Sequence, residues 1–242
     1  MKSSKNIRFS RKKPILGRYF SKKWVKLARK LLVRLLQLSL LLIFPFVLLV
    51  RVAVWMHDHY AFQGWFCLLL GAMVAAVILF AYVNYLHDYY IGKTLSARTL
   101  QRNYAIVLII VLIYCANSIW SISAANVKEA EVKKEFRSLH PVLRLGISTL
   151  ILIDKDLILT DAERKPEDYR DMGLPSKRYS LHYAQSTGYA HAVDIRTKGH
   201  SWLRNKLIQS YFRLMGFNTL MHVGTAEHLH ISLSSRDRPG GI

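Results

Sequence analysis

The sequence predicts three transmembrane helices followed by a small α+β domain. Apolar residues make up 52% of the 242-residue chain and gather in three long windows. Each window holds the ~20 residues that are needed to cross a hydrocarbon core of ~30 Å. After the third window the apolar runs become short, and charged residues, Pro and Gly separate them. That pattern is typical of a water-exposed domain, and its length of about 110 residues is enough to bury a core.

The three windows run from about 31 to 56, from 62 to 86 and from 104 to 124. Trp and Tyr lie near their ends, as is common at membrane interfaces. No Asp, Glu or Lys lies in the middle of a window. We therefore interpret the windows as an anchor and not as a channel or pump. His57 and His59 fall between the first two windows and are interpreted as part of a short interfacial loop.

The amino-terminal segment, residues 1–30, is strongly basic. Residues 1–34 contain thirteen Lys and Arg and no acidic residue. Such a block is attracted to anionic lipid by about 1 kcal/mol per basic residue, although a nucleic-acid arm is a competing interpretation of any basic run. Because the block adjoins the first window and carries an apolar stripe at helical spacing, we expect a lipid partner and no nucleic acid.

Loop charge predicts the orientation of the chain in the membrane. The amino terminus and the second loop are basic, whereas the first loop is not. By the positive-inside rule the amino terminus is then cytoplasmic. Three spans place a helical stalk (residues 125–139) and the domain (residues 140–242) on the extracytoplasmic, periplasmic side of the inner membrane.

Hydrophobic periodicity predicts the elements of this domain. An apolar stretch from Val142 to Ile153 indicates a helix, and the residues around Leu157–Leu159 indicate a strand. The segment Lys165–Tyr179 is polar, contains two Pro and one Gly, and is interpreted as a loop. A strand at Ala192–Ile195 follows, then a helix at 203–215 that ends at Gly216, then a last strand around residues 228–233.

Three residues of this domain form a candidate zinc site: His182, Asp194 and His230. Catalytic zinc usually takes three ligands from His, Asp or Glu and leaves a fourth position for water. On a strand alternate side chains share a face, so His228 and His230 point the same way. His191 is the alternative to His182, but it is three residues from Asp194 and reaches the same face only through a bulge.

The segments Ser180-Leu-His-Tyr, Ala192-Val-Asp-Ile and His228-Leu-His resemble the zinc-binding core of bacterial D-alanyl-D-alanine carboxypeptidases and of the hedgehog signalling domain. Upstream, Leu157–Arg164 and Gly173-Leu-Pro-Ser resemble the strand, Arg and turn that precede this core in the carboxypeptidases. The resemblance covers residues 140–235 and implies a zinc-peptidase-like α+β fold.

The chain departs from the family pattern between two of the three ligands. The family places its His seven residues before the Asp, whereas His182 and Asp194 are twelve residues apart. The extra residues lie around Ala184–Tyr189, a small and polar segment that suits a loop. We expect this segment to bulge outward so that its two ends stay close together.

The resemblance also implies roles for three further residues. Glu227 forms a Glu-x-x-His pattern with His230, as in the carboxypeptidases, and is the favoured general base. His228 is its competitor, as in the hedgehog-like variants. Arg164 matches the residue that binds a substrate carboxylate, which a guanidinium holds through two parallel hydrogen bonds.

These expectations combine into a membrane-anchored zinc peptidase that cleaves peptidoglycan stem peptides at or near D-alanine, as a carboxypeptidase or an endopeptidase. The alternative is a catalytically inactive, zinc-containing binding or sensor module of the same fold at the cell envelope.

Overall fold

The fold is that of a computed structural model, which describes residues 15–92, 95–120, 122–171, 173, 175, 179–224, 227–239 and 241. The first 14 residues of the predicted basic segment lie outside the described residues, as do Leu174 and Ser176 of the predicted turn. The chain divides into two compact units, residues 1–44 and 45–242.

Three long helices precede the domain: α1 (Ile15–Tyr60), α2 (Gly64–Ile91) and α3 (Ala97–Trp120). Each is long and apolar enough to cross a membrane, over Lys23–Tyr60, Gly64–Ile91 and Ala97–Ala116. The predicted membrane association is therefore supported. In the first unit the described side chains of α1 from residue 23 onward are exposed, including Leu35 and Leu42, as suits a lipid-facing surface.

The second unit contains the rest of α1, the other two long helices and the domain. An amide hydrogen bond of 2.8 Å from Asn103 to Asn84 joins α2 and α3. The segment that was predicted as a stalk holds α4 (Ala130–Glu135) between two 3-10 turns, Ala124–Asn126 and Phe136–Ser138. Phe136 and Leu139 are buried in the core.

Helix α5 (Pro141–Ile151) is the buried centre of this unit. Its first position is Pro141, whose fixed φ suits a helix start. The helix packs against α2 and α3. The Tyr211 hydroxyl donates to the Gly146 carbonyl at 2.7 Å, and a Cβ on Gly146 would lie 2.8 Å from the Phe217 ring. Close packing of this kind requires glycine at position 146.

A four-stranded antiparallel sheet carries the rest of the domain. Its strands are β1 (Leu159–Asp161), β2 (Ala192–Arg196), β3 (Asn218–His222) and β4 (His228–Ser232), in the spatial order β1-β2-β4-β3. Helix α6 (Pro166–Asp171) follows β1. Helix α7 (Trp202–Met215) is capped by the Ser201 hydroxyl and ends at Gly216, which has a φ of 100°.

Most of the predicted elements are present, with three corrections. The sequence interpretation missed β3, a short strand whose burial alternates from residue to residue. It was also wrong to make all of Lys165–Tyr179 a loop, because Pro166 starts the short helix α6. The interfacial loop is shorter than predicted, since α1 continues through His57 and His59 to Tyr60.

Candidate metal centre

Strands β2 and β4 place two of the predicted ligands side by side. Asp194 pairs directly with His230 in the antiparallel register. Side chains of directly opposed residues lie on the same face of a sheet. The neighbouring pair, Val193 and Ile231, is fully buried on the opposite face. The alternating pattern therefore aims the carboxylate and the imidazole at one another on the site face.

His182 reaches the same place from the loop before β2. Its backbone carbonyl accepts a hydrogen bond from the Arg164 amide at 3.0 Å. Its Nδ1 lies 2.6 Å from the Ala162 carbonyl oxygen and donates to it. A backbone carbonyl is a common partner for the second nitrogen of a metal-binding histidine. The bond leaves the lone pair of Nε2 facing Asp194 and His230.

The three side chains are close enough to share one ion. His230 Nδ1 lies 2.8 Å from Asp194 Oδ1, His182 Nε2 lies 3.4 Å from the same oxygen, and the two imidazole nitrogens are 3.3 Å apart. Ligands at about 2.0–2.1 Å from a tetrahedral zinc ion are about 3.3 Å from one another. The donor set and its spacing therefore fit a zinc-sized ion, and all three residues are buried.

Electrostatics keep Asp194 and His230 in the forms that bind a cation. Burial tends to raise the pKa of Asp194, but the charge and hydrogen bonds of His182 and His230 outweigh it and hold that pKa well below its usual range. Burial lowers the pKa of His230 more than its bond to Asp194 raises it. An ionised carboxylate and a neutral imidazole are both metal ligands.

Arg164 lies directly beside this cluster. Its guanidinium is 3.1 Å from Asp194 Oδ2, 2.6 Å from Asp161 Oδ2 and 3.1 Å from the Tyr169 hydroxyl. Burial alone would lower the pKa of Arg164, but the bonds to Asp161 and Tyr169 raise it instead. Arg164 thus already neutralises two carboxylates, and its predicted contact with a substrate stays a prediction.

Asp161 is a neighbour that the sequence interpretation did not single out. An irregularity in the β1–β2 register places it opposite Asp194. Its Oδ1 lies 3.9 Å from His182 Nδ1. A bulge of this kind aims an extra side chain at a site. Its position at the end of an apolar run was the only sequence signal.

The extra residues before β2 form a closed loop. Ala184 and Ala190 form an isolated antiparallel bridge at its base. Within it the Gln185 amide donates to the Tyr189 carbonyl and the Gly188 amide to the Gln185 carbonyl. The loop therefore leaves the spacing of the cluster intact, as expected. His191 lies beyond it and joins a separate group of histidines.

The two predicted candidates for a general base differ in position. His228 Nε2 lies 3.6 Å from Asp194 Oδ2, and its ring stacks on that of His222 at 4.5 Å. Glu227 precedes β4, and both residues line a cavity of about 270 Å³. Regular pairing starts at His228, as predicted. Among the described residues His228 contacts the cluster through Asp194, and no ion pair or hydrogen bond joins Glu227 to it, so the geometry favours His228.

Comparisons of the chain with protein-family models, with curated proteins and with solved structures give no match. The geometry of the cluster is therefore the evidence that it could hold a metal ion.

Proposed function

We propose that this protein is a membrane-anchored, zinc-dependent peptidase that cleaves peptidoglycan stem peptides at or near D-alanine. The observation that carries the proposal is the cluster of His182, Asp194 and His230, with mutual distances of 2.8 to 3.4 Å. The resemblance of residues 140–235 to D-alanyl-D-alanine carboxypeptidases supplies the reaction and the substrate class.

His182, Asp194 and His230 would hold the ion. When bound, zinc polarises a scissile carbonyl and lowers the pKa of a coordinated water toward about 7. The chain supplies the rest. We assign the role of general base to His228. Its Nε2 lies 3.6 Å from Asp194 Oδ2, and its side chain is partly exposed. Glu227 remains the second candidate, because it lines the same cavity.

The charges around the cluster suggest where a substrate carboxylate binds. The cavity beside His228 also carries Lys128, Arg196 and Lys198. A larger cavity of about 740 Å³ carries Arg164, but acidic side chains line it as well: Glu129, Glu131, Glu135, Asp161, Glu163 and Asp168. Burial and the negative charge of nearby carboxylates raise the pKa of Glu135 to about 7. An anionic substrate group therefore fits the His228 side, where Arg196 lies across from His228.

This assignment gives Arg164 a different role from the predicted one. Its bonds to Asp194 and Asp161 hold the Asp194 carboxylate in place. Arg164 is then a positioning residue, and Arg196 takes over the recognition of the substrate carboxylate. Kinetics of Arg164→Ala and Arg196→Ala on substrates with free and amidated carboxyl ends distinguish the two. Only the residue that binds the carboxylate discriminates between those substrates.

Digestion of purified muropeptides by the full-length protein in detergent tests the proposal. We expect release of D-alanine or cleavage of a cross-link adjoining it, dependent on added zinc. A folded, zinc-loaded protein that cuts no muropeptide and no D-alanyl peptide contradicts it.

The second candidate function is a zinc-containing binding module without catalysis. It is favoured by one observation: Arg164 pairs with both Asp194 and Asp161, so the carboxylate that lies beside His182 is already engaged by a guanidinium. Retained zinc and muropeptide binding without cleavage would support it.

We also propose that the amino terminus is cytoplasmic and that residues 126–242 face the periplasm, from the charge asymmetry of the loops. Alkaline phosphatase fused after Ile242 is then active. An inactive fusion, with an active cytoplasmic reporter at the same position, contradicts this orientation.

A further inference from the structure

A second group of three buried histidines lies apart from the candidate metal centre. His57 comes from the end of α1, His140 is the residue before α5, and His191 is the residue before β2. Their exposed fractions are 5%, 0% and 1%. One nitrogen from each ring lies within 4.8 Å of the others. We refer to these three residues as the junction cluster.

The three rings contact one another, two pairs edge to face and the His57–His140 pair tilted by 52°. The His57 ring centroid is 4.5 Å from that of His140 and 5.1 Å from that of His191. The centroids of His140 and His191 are 4.9 Å apart. A buried polar ring normally has a hydrogen-bond partner. Three such rings in mutual contact require either a set of partners or an ion.

Two of the rings have backbone partners that fix their orientation. The Ser234 carbonyl oxygen lies 3.0 Å from His57 Nε2 and 3.1 Å from His191 Nδ1, so it can accept an N–H from each. The other nitrogen of His191 lies 2.9 Å from the Thr187 hydroxyl, and that of His57 lies 3.4 Å from the Phe62 carbonyl oxygen. A bound ion would replace these two contacts. Metal-binding histidines commonly donate their second nitrogen to a backbone carbonyl in this way.

The third ring has no such partner. Both nitrogens of His140 are buried without a hydrogen bond among the described residues. Gly64 at the start of α2 leaves room for this ring, since a Cβ there would lie 2.7 Å from His140 Nε2. Burying an imidazole with neither nitrogen in a hydrogen bond costs free energy, because the ring loses its hydrogen bonds to water. A metal ion would satisfy one of those nitrogens.

We propose that the junction cluster is a second metal site, which binds a zinc-class divalent ion through His57, His140 and His191. Three imidazoles are a known ligand set for zinc, and imidazole favours zinc, copper and nickel over magnesium or calcium. Binding would draw the ligand nitrogens together by at most about 1.5 Å, from distances within 4.8 Å to the spacing of about 3.3 Å around zinc. The ion would tie α1 to α5 and to the sheet.

An ion can reach this position from the surface. A cavity of about 450 Å³ is lined by His57 and His191, and by the exposed residues Ser186 and Asp237. Asp58 lines the same cavity.

The test uses the full-length protein with the candidate metal centre removed by His182→Ala and His230→Ala. Zinc is titrated against a chromophoric chelator, and bound zinc is counted per chain. We expect one zinc in this background and none after His140→Ala is added. His59→Ala is the matched control, because His59 lies on the same helix, is exposed and has its ring nitrogen 3.1 Å from the Trp55 carbonyl oxygen, away from the junction cluster. It should leave one zinc bound.

No zinc in the folded background overturns the proposal, as does one zinc that persists after both His140→Ala and His57→Gln. His57→Gln replaces His140→Ala if the latter does not fold, since it leaves α5 and the sheet unchanged. Zinc-edge X-ray absorption of the background needs no further variant. A shell of imidazole nitrogens at about 2.0 Å supports the site, and a shell without imidazole contradicts it.

Discussion

The candidate metal centre and the junction cluster use the same residue type in two different settings. Both consist of three buried side chains within 4.8 Å of one another. The metal centre includes a carboxylate, Asp194, which forms an ion pair with Arg164. The junction cluster consists of imidazoles and joins three separate segments. The first arrangement provides charge and neighbouring groups for chemistry, whereas the second provides a cross-link.

The largest expected effect separates the two clusters by activity. His182→Ala removes a ligand of the metal centre, so muropeptide cleavage should fall below detection and the zinc of that site should be lost. His191→Ala affects only the junction cluster and should keep most of the cleavage rate. Chromatography of digested muropeptides and metal analysis measure both. The reverse result would transfer the ligand role to His191.

The second prediction concerns the general base of the reaction, which we assign to His228. His228→Ala leaves the three ligands intact, so zinc should be retained while turnover falls by roughly 10²-fold or more, the usual effect of removing a positioned base. Glu227→Ala is the matched control and should have a smaller effect on turnover. A larger loss in Glu227→Ala, at equal zinc content, would restore the assignment that the sequence alone favoured.

The third prediction concerns stability at the metal centre. Arg164→Met leaves Asp194 and Asp161 facing each other without their cation. The free energy of unfolding should fall by about 3 kcal/mol, since removing one partner of a largely buried ion pair leaves charge uncompensated. Arg170→Met is the control. Its pair with Glu167 is 4.0 Å long and exposed, so the loss should stay below about 1 kcal/mol. Denaturant unfolding of the metal-free protein measures both, and equal losses contradict the account.

The smallest effect sharpens the comparison from the side of the junction cluster. Gly64→Ala introduces a Cβ that would lie 2.7 Å from His140 Nε2. We expect a loss of about 1–3 kcal/mol in stability, as for other overpacked positions, and weaker zinc binding at the junction cluster. Muropeptide cleavage should not change. A parallel loss of cleavage would show that the two clusters are coupled.

The sequence allowed the metal centre to be predicted more fully than the junction cluster, for a physical reason. Asp194 and His230 lie on strands, where a period of two determines which side chains share a face. The three membrane helices follow equally from length and composition. Asp161 joins the centre through a register irregularity, which no periodicity reveals.

The junction cluster depends on tertiary packing alone. His57, His140 and His191 lie in three separate elements, and no local pattern relates them. From the sequence, His57 was interpreted as interfacial and His191 as a competing ligand of Asp194. The three rings meet only in the folded chain, where each contacts the other two. Strand β3 was missed for a related reason, because its pairing with β4 outweighs its weak local signal.

The central claim is that His182, Asp194 and His230 hold a zinc ion that is required for the cleavage of D-alanyl peptides. The most direct measurement is muropeptide cleavage by the full-length protein after chelation and after the return of zinc, in the wild type and in Asp194→Asn. The account predicts that chelation abolishes cleavage, that zinc restores it in the wild type, and that Asp194→Asn stays inactive at every zinc concentration. Cleavage that survives chelation, or an Asp194→Asn variant as active as the wild type, would contradict it.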